Sequence, residues 1–369
     1  MSEQQFAFRD GERQIRFGRG LLLAAPELLG EAGFEEYSLL TTARALGDDP
    51  QGLGAGAREL AFAPPGAVPE VAARVREQIG GIDIVALGGG RVVDAAKAIA
   101  AADGGRVAAI PTALAGSSFT PFHRMPAGME TYGSTRAALA LCDPDVMASA
   151  PMPGLAATAM NALAHAIESL YAPGANPVAE GAAVRAIAAI AEGLRGDPPR
   201  KGSLSLGATL AGYAVGVAGL GVHHALCQTI VRLTGTPHAE TNAVVLPHAV
   251  AFMTDRAPTP IAALAQALGA GARDQAGPAV ATLAALAGPR SLTELGFDVT
   301  RSDEVVAAAA QHPGSKATPG GVSRDDIAGL LEAAIGASRG LPGFAAGPRR
   351  GESDAVRTGA RGALPGDGR

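Results

Sequence analysis

Apolar and polar positions in the first 150 residues follow two different periods. Short runs rich in apolar and β-branched residues predict strands at 37–42, 82–87, 107–110 and 137–142. Between these runs, apolar residues recur every three or four positions, which predicts helices at 21–32, 68–79 and beyond residue 90. A weak alternation from Phe6 to Phe17, with Asp10-Gly11 at its centre, predicts a hairpin. Strands that alternate with helices through short connections are typical of a parallel, Rossmann-like α/β sheet.

The pattern changes near residue 150. From there on, the strand pattern does not return, and apolar spacing predicts helices at 154–171, 177–195, 203–234, 238–254, 259–287 and 325–337. We therefore expect an α/β domain at 1–150 and an all-helical domain at 151–340. Residues 341–369 are rich in Gly, Arg and Pro without apolar spacing, and they are predicted to be a disordered tail.

The central feature of the α/β half is a strand that runs into Gly88-Gly89-Gly90 and then into a helix. Glycine has no Cβ, so such a turn can lie against a ligand while the first helical amides face an anion. Ligands of parallel sheets bind beyond the carboxyl ends of the strands, where the hydroxyl-rich segment 112–118 also lies. The turn predicts a diphosphate site. The alternative is a tight turn without a ligand, because the segment is not a GxGxxG fingerprint.

Composition narrows the class of function. The chain has 369 residues, a net charge of −5 and only 4% aromatic residues, which argues against a nucleic-acid partner. The polar N-terminus is not a signal peptide, and no apolar run is long enough to cross a membrane, so we expect a cytoplasmic protein. No GxSxG or HExxH motif supports a hydrolase.

Histidines are concentrated in the helical half, where five of the seven lie between residues 165 and 248. Asn161 and His165 are one helical turn apart, His223 and His224 are adjacent, and His238 begins a further helix. These side chains could converge on a metal ion, or they could be hydrogen-bonded histidines between packed helices. Glu168, one turn after His165, is a candidate to orient that imidazole, or it simply caps a surface.

Several segments, taken together, resemble a known family. The segments are ALGGGRVVDAAKAIA, IPTALAGSSFTP, LCDPDVM, MNALAHAIESLYAPGANP, GVHHALCQTI and TPHAETNAVVLPHAVAF. They are similar to the iron-containing alcohol dehydrogenase superfamily and, within it, to the maleylacetate reductases. The resemblance implies a dehydroquinate synthase-like architecture, in which a dinucleotide-binding α/β domain and a helical domain enclose the active site.

The same resemblance implies the roles of individual residues. For NAD(H) or NADP(H) it implies contacts from Thr41, Thr42, Gly88, Gly89, Gly90, Arg91, Asp94, Lys97, Thr112 and Ser117. For catalysis it implies His165, His223, His224, His238 and Gln228. Metal-dependent members hold iron or zinc with one Asp and three His, and the matching positions are Asn161, His165, His224 and His238.

Three of these positions depart from the family pattern. Asn161 replaces the Asp, so we expect no tightly held metal ion. Gln228 replaces a histidine and cannot act as an acid or base, so a proton must come from elsewhere, with His223 or His165 as candidates. Arg91 replaces a small residue, and its guanidinium either clamps or crowds the diphosphate. Asp94 and Lys97 share a helix face; they form a solvated pair, or Lys97 instead reaches a phosphate or a ribose.

The resulting hypothesis is an NAD(P)H-dependent reductase that acts on a small carboxylated ketone or enone, such as maleylacetate. The resemblance also implies a homodimer. Arg124 is a further candidate to bind a carboxylate. The alternatives are a divergent member with another substrate or a non-redox reaction, and an inactive binding or assembly protein. Arg44 would favour NADPH, whereas Asp48 and Asp49 would favour NADH.

Overall fold

Seven strands form a mostly parallel sheet in the order β1-β2-β9-β6-β5-β3-β4, and two short strands form a separate hairpin, β7-β8. The computed structural model describes residues 5–47, 49, 51–130 and 132–336. In this sheet, only β1 and β2 are paired antiparallel. All other neighbouring strands, from β2 across β9, β6, β5 and β3 to β4 at the far edge, are parallel. The strands are β1 Phe6–Asp10, β2 Arg13–Phe17, β3 Tyr37–Thr41, β4 Glu59–Phe62, β5 Asp83–Gly88, β6 Val107–Pro111, β7 Phe122–Arg124, β8 Tyr132–Ser134 and β9 Leu139–Cys142.

Helices connect most of these strands and form most of the described chain after residue 143. They are α1 Ala25–Glu31, α2 Ala43–Leu46, α3 Val68–Ile79, α4 Gly90–Asp103, α5 Pro144–Met147, α6 Gly154–Ser169, α7 Pro177–Arg195, α8 Lys201–Ala218, α9 Val222–Thr234, α10 His238–Met253, α11 Pro258–Leu268, α12 Ala276–Ala284, α13 Ser302–Gln311, α14 Pro313–Ala317 and α15 Arg324–Ile335. Between residues 143 and 336, the structure describes no strand. The predicted fold class is confirmed: a parallel α/β region precedes an all-helical region.

Three buried clusters hold these elements together. One face of the sheet packs against α3 and α4, through residues such as Ile84, Val93 and Ile99. The other face packs against α1 through Leu29 and Leu39. The helical core also takes in side chains from β2 and β9, so the described residues belong to one compact unit. The domain boundary at residue 150 therefore stays a prediction, and the predicted tail at 341–369 lies outside the described residues.

The long helix predicted at 203–234 is wrong, because the structure has two helices there, bent by 100°. Gly219 ends α8 with a φ of +94°, a conformation that disfavours other residues. Apolar spacing continues across this break, which is why periodicity alone did not reveal it. A Cβ added at Gly221 would lie 3.1 Å from Oε1 of Glu168, so the break brings the start of α9 against α6.

Other differences between the predicted and the observed elements are smaller. The helix predicted at 259–287 is split after Leu268 by Gly269, whose φ is +69°, and the helix predicted at 21–32 begins only at Ala25. The pattern did not predict β4, β7, β8, α2, α5, α13 or α14. Strands β4, β7 and β8 are short and mostly unburied, so they carry little of the alternation that identifies a strand.

Within the described residues, no single helix is long and apolar enough to span a membrane. The bent pair α8 and α9 passes that test only when both helices are counted together.

Candidate active site

The order of the strands reverses beside β3. The chain passes from β4, on one side of β3, to β5 on its other side, so the carboxyl ends of β3 and β5 are neighbours. Such a reversal leaves a crevice in which parallel sheets bind ligands. Thr41 and the Gly88–Gly90 turn both lie at this edge.

Two of the three glycines pack closely against neighbouring side chains of the protein. A Cβ added at Gly88 would lie 2.6 Å from Cγ2 of Val92, and one added at Gly90 would lie 3.1 Å from Oγ of Ser117. Gly89 is the N-cap of the 14-residue helix α4 and offers no side-chain hydrogen bond to its first amides. Because Gly89 and Gly90 remain partly exposed, these amides fit the diphosphate of a dinucleotide.

The partners of Lys97 differ from those that either alternative predicted from the sequence. Its side chain is 0% exposed and forms an ion pair with Asp94 Oδ1 at 2.7 Å, so the interpretation as a solvated pair is wrong. Its ammonium donates hydrogen bonds to the carbonyls of Ser117, Thr120 and Phe122 at 2.9, 3.1 and 3.0 Å. The hydroxyl of Ser117 donates to Asp94 Oδ2 at 2.8 Å. The whole donor capacity of Lys97 is therefore directed at the protein.

The remaining residues predicted for the cofactor are distributed around the same edge. The Thr41 hydroxyl is buried and donates to Leu87 O at 2.8 Å, whereas Thr42 caps α2 by accepting from Ala45 N at 3.2 Å. Arg91 is exposed in the first turn of α4. Thr112 is partly exposed, and its amide donates to Gly88 O at 3.0 Å, so the two loops are joined directly.

The helical half brings His165, His223 and His224 together. The rings of His165 and His224 are stacked, with centroids 4.4 Å apart and an angle of 8° between their planes. The ring of His223 lies edge-on to His224 at 4.9 Å. His238 begins α10 and is exposed. The structure thus brings together three of the predicted histidines, while His238 stands at the mouth of the cluster.

Buried hydrogen bonds fix two of these imidazoles. His224 Nδ1 lies 2.6 Å from Glu168 Oε2, and the His224 amide donates to Glu168 Oε1 at 3.2 Å. Glu168 therefore orients His224, and the prediction that it orients His165 is wrong. His223 Nε2 donates to Asn242 Oδ1 at 2.9 Å, a partner that the sequence did not reveal because it lies on another helix.

The surroundings make these imidazoles neutral. Burial lowers the pKa of His223 and of His224 to about 3, and it lowers the pKa of His165 well below its usual value. Surrounding protein also lowers the pKa of His238, although this residue is open to solvent. The histidines can therefore act as hydrogen-bond donors and acceptors at neutral pH, but not as positive charges.

A loop connects the cofactor edge to this cluster. A Cβ added at Gly116 would lie 2.8 Å from Cε1 of His165, so only glycine allows the loop backbone to approach the ring so closely. His165 is partly exposed, and its buried Nδ1 has no partner among the described residues. His165 is therefore the histidine with an unused polar atom beside the loop that leaves β6.

The donor set predicted for a metal does not fit a tightly held ion. Lone pairs of two parallel imidazoles do not converge on a point about 2 Å from both nitrogens, as a divalent ion requires. Asn161 Oδ1 is a neutral amide oxygen and lies 3.4 Å from His224 Nε2. In the described part of the chain, no three His, Cys, Asp or Glu side chains are arranged to hold a metal.

Basic residues lie near the cluster from both halves of the chain. Gln228 and Arg232 follow His224 at intervals of four residues on α9, and so lie on the same face. His312, which the sequence analysis did not single out, caps α14 by accepting from Gly314 N at 3.1 Å. Burial lowers the pKa of His312; the charges of Arg124 and Arg232 also lower it, whereas Glu168 raises it. A Cβ added at Gly314 would lie 2.7 Å from the carbonyl oxygen of Gly221, so the two backbones pack closely there.

Comparison with known proteins extends over both halves. Residues 16–151 match the family "Iron-containing alcohol dehydrogenase", and residues 155–335 match "Fe-containing alcohol dehydrogenase family, C-terminal". The chain is 35% identical over 342 residues to maleylacetate reductase 2 of Cupriavidus pinatubonensis, which covers 87% of this chain and 94% of that protein. It is 38% identical over 266 residues to maleylacetate reductase 1 of Rhodococcus opacus, which covers 68% and 72%.

Among solved structures, the maleylacetate reductase of Agrobacterium tumefaciens superposes with a TM-score of 0.77 and 29% identity, covering 90% of this chain and 98% of that one. Members of the matched families are oxidoreductases that use NAD(P)H. The chain belongs to the iron-containing alcohol dehydrogenase family and is an oxidoreductase.

Proposed function

We propose that the protein is an NAD(P)H-dependent reductase of a small carboxylated enone, of which maleylacetate is the best-supported example. The observation that carries this proposal is the contact of the Gly116 backbone with the ring of His165, because it joins the predicted cofactor edge to the histidine cluster. The relatives at 35% and 38% identity are maleylacetate reductases, which supports this choice of substrate.

A carboxylated substrate agrees with the charges around the cluster. Arg124 and Arg232 supply two permanent positive charges whose fields reach His312, and Arg232 is exposed. Guanidinium groups bind carboxylates through paired hydrogen bonds. We therefore assign carboxylate binding to these two arginines, with His312 as a neutral donor beside them.

The cofactor, when bound, supplies a hydride to the carbon of the double bond that is remote from the ketone. Negative charge then develops on the ketone oxygen. A proton must reach the other carbon of the former double bond, which is bonded to the ketone carbon, to give 3-oxoadipate. Neutral imidazole N–H groups at His165 and His238 can stabilise that oxygen. His223 is already hydrogen-bonded to Asn242, so the partly exposed His165 is the better candidate to relay a proton from solvent, accepting it at one ring nitrogen while donating from the other.

Gln228 favours a second candidate function. The resemblance places a histidine at this position, and an amide in its place cannot exchange a proton. A reductase with a substrate other than maleylacetate, or a related non-redox reaction, would explain the change. The two candidates differ in whether maleylacetate is turned over.

The test is NADH or NADPH oxidation with maleylacetate, followed at 340 nm with product identification. We expect consumption of one reduced cofactor per 3-oxoadipate formed. The variant Arg232→Gln should raise KM for maleylacetate about tenfold with kcat little changed, as for loss of one charge-assisted hydrogen bond. Arg185→Gln, at an exposed position on α7, is the control. Cofactor binding without turnover would reject maleylacetate as the substrate.

The preferred nucleotide and the homodimer remain part of this proposal. Arg44 is exposed at the start of α2, beside the end of β3, and would meet a 2′-phosphate. Asp49 instead accepts from the amides of Gly54 and Ala55, and Asp48 lies outside the described residues. We therefore expect NADPH to be used at least as well as NADH. Light scattering tests for the dimer.

A further inference from the structure

We infer that Lys97 is a positioning residue, which holds the loop between β6 and β7 and, through Gly116, the ring of His165. This inference rests on the proposed function. It differs from the direct cofactor contact that was one alternative for Lys97, because every hydrogen-bond partner of the ammonium is a protein atom.

The first step is the burial of Lys97. A charged ammonium that is 0% exposed needs compensating partners, since its desolvation costs several kcal/mol. Asp94 neutralises it at 2.7 Å, and three carbonyls accept its hydrogens at 2.9–3.1 Å. An ammonium has only three N–H donors, so none is left over for a diphosphate.

The second step is the placement of those carbonyls. They belong to Ser117, Thr120 and Phe122, which span the loop from the turn after β6 to the start of β7. Asp94 adds a fourth tie by accepting from the Ser117 hydroxyl at 2.8 Å. Helix α4 therefore holds three residues of this loop with four hydrogen bonds, all of them from the Lys97–Asp94 ion pair.

The third step is the contact between the loop and the histidine. Gly116 directly precedes the first tied residue, and the three atoms nearest to an added Cβ all belong to the His165 ring, at 2.8 to 3.7 Å. A displacement of the loop would move the backbone that supports this ring. Since a misplacement of about 1 Å at a reacting group can reduce turnover about 100-fold, the tie has a catalytic consequence.

The experiment compares Lys97→Met with Gly116→Ala in the full-length protein. Lys97→Met should lower kcat at least tenfold while the Kd of NADH, from cofactor fluorescence, changes by less than threefold. The kinetic isotope effect with 4-deuterated NADH should rise in both variants, because hydride transfer becomes slower relative to the other steps. Lys201→Met and Gly329→Ala are matched controls: Lys201 is exposed, and a Cβ at Gly329 meets no atom within 4 Å.

The outcomes separate the two levels of inference. A Kd for NADH that rises tenfold or more in Lys97→Met, with kcat at saturating NADH preserved, would show a direct cofactor contact and overturn the inference. If Lys97→Met does not fold, Gly116→Ala decides: unchanged kcat and isotope effect would equally overturn it. If the wild type does not reduce maleylacetate, the proposed function fails, and the Kd values alone then decide the role of Lys97.

Discussion

His224 Nδ1 and Glu168 Oε2 are 2.6 Å apart, and their side chains are 2% and 0% exposed. This contact joins α9 to α6 at the bend after α8, and it fixes the orientation of the imidazole at the centre of the histidine cluster. A buried carboxyl in such a contact cannot be replaced without a change in either stability or geometry.

Glu168→Gln should therefore destabilise the protein by about 1–3 kcal/mol, since an amide offers one oxygen where the carboxyl accepts from both the ring and the His224 amide. We also expect kcat to fall more than tenfold, because the ring orientation relaxes. Urea unfolding and steady-state kinetics measure the two effects. Glu180→Gln, on the exposed first turn of α7, is the control. Equal stability of Glu168→Gln and wild type would show that the buried contact contributes nothing.

The lowered pKa of His223 makes stability depend on pH. The unfolded chain binds the proton near pH 6.5, whereas the folded protein binds it only near pH 3. The contribution is complete above pH 6.5 and is lost as the pH falls towards 3, by about 2 kcal/mol between pH 6.5 and 5. His223→Gln, which can still donate to Asn242, should lose less stability over this interval. Thermal unfolding at several pH values tests this, and identical pH dependence in both proteins would contradict it.

Gln228→His should add an ionisation to the pH profile of kcat/KM, because an imidazole one turn after His224 can exchange a proton. If the protein already delivers the proton through His165, kcat/KM for maleylacetate at neutral pH should change by less than about tenfold. Gln266→His, on an exposed position of α11, should leave the profile unaltered. A large gain in activity would instead favour the second candidate function, in which the natural protein has lost this reduction.

Asn161→Asp should increase the affinity for divalent metal, because a carboxylate would face His224 Nε2 in place of an amide 3.4 Å away. Metal analysis after incubation with Zn²⁺ and desalting measures the bound fraction. Asn161→Ala, which removes the amide without adding charge, should bind no more than the wild type. A stoichiometric metal ion in the wild type would overturn the conclusion that this donor set does not fit.

Much of the scaffold could be predicted from periodicity, because long buried elements repeat their apolar residues regularly. Helix α3 begins and ends where the pattern predicts, and β5, β6 and β9 coincide with apolar runs. Elements with few buried residues, such as β4 and the hairpin β7-β8, carried no comparable pattern. The break at Gly219 was missed because a backbone conformation, rather than a change in hydrophobicity, ends that helix.

By itself, the sequence determined the order of the long buried strands and helices, the glycine turn before α4, and the candidate histidines, since these depend on local spacing and residue type. Only the tertiary structure decided which partners the buried polar groups have. Lys97 binds loop carbonyls rather than solvent, and Glu168 binds His224 rather than His165. The physical reason is that buried polar groups need whatever partners the fold brings within hydrogen-bonding distance. Asp94 is local to Lys97, but the carbonyl of Ser117 lies 20 residues from Lys97, and Glu168 lies 56 residues from His224.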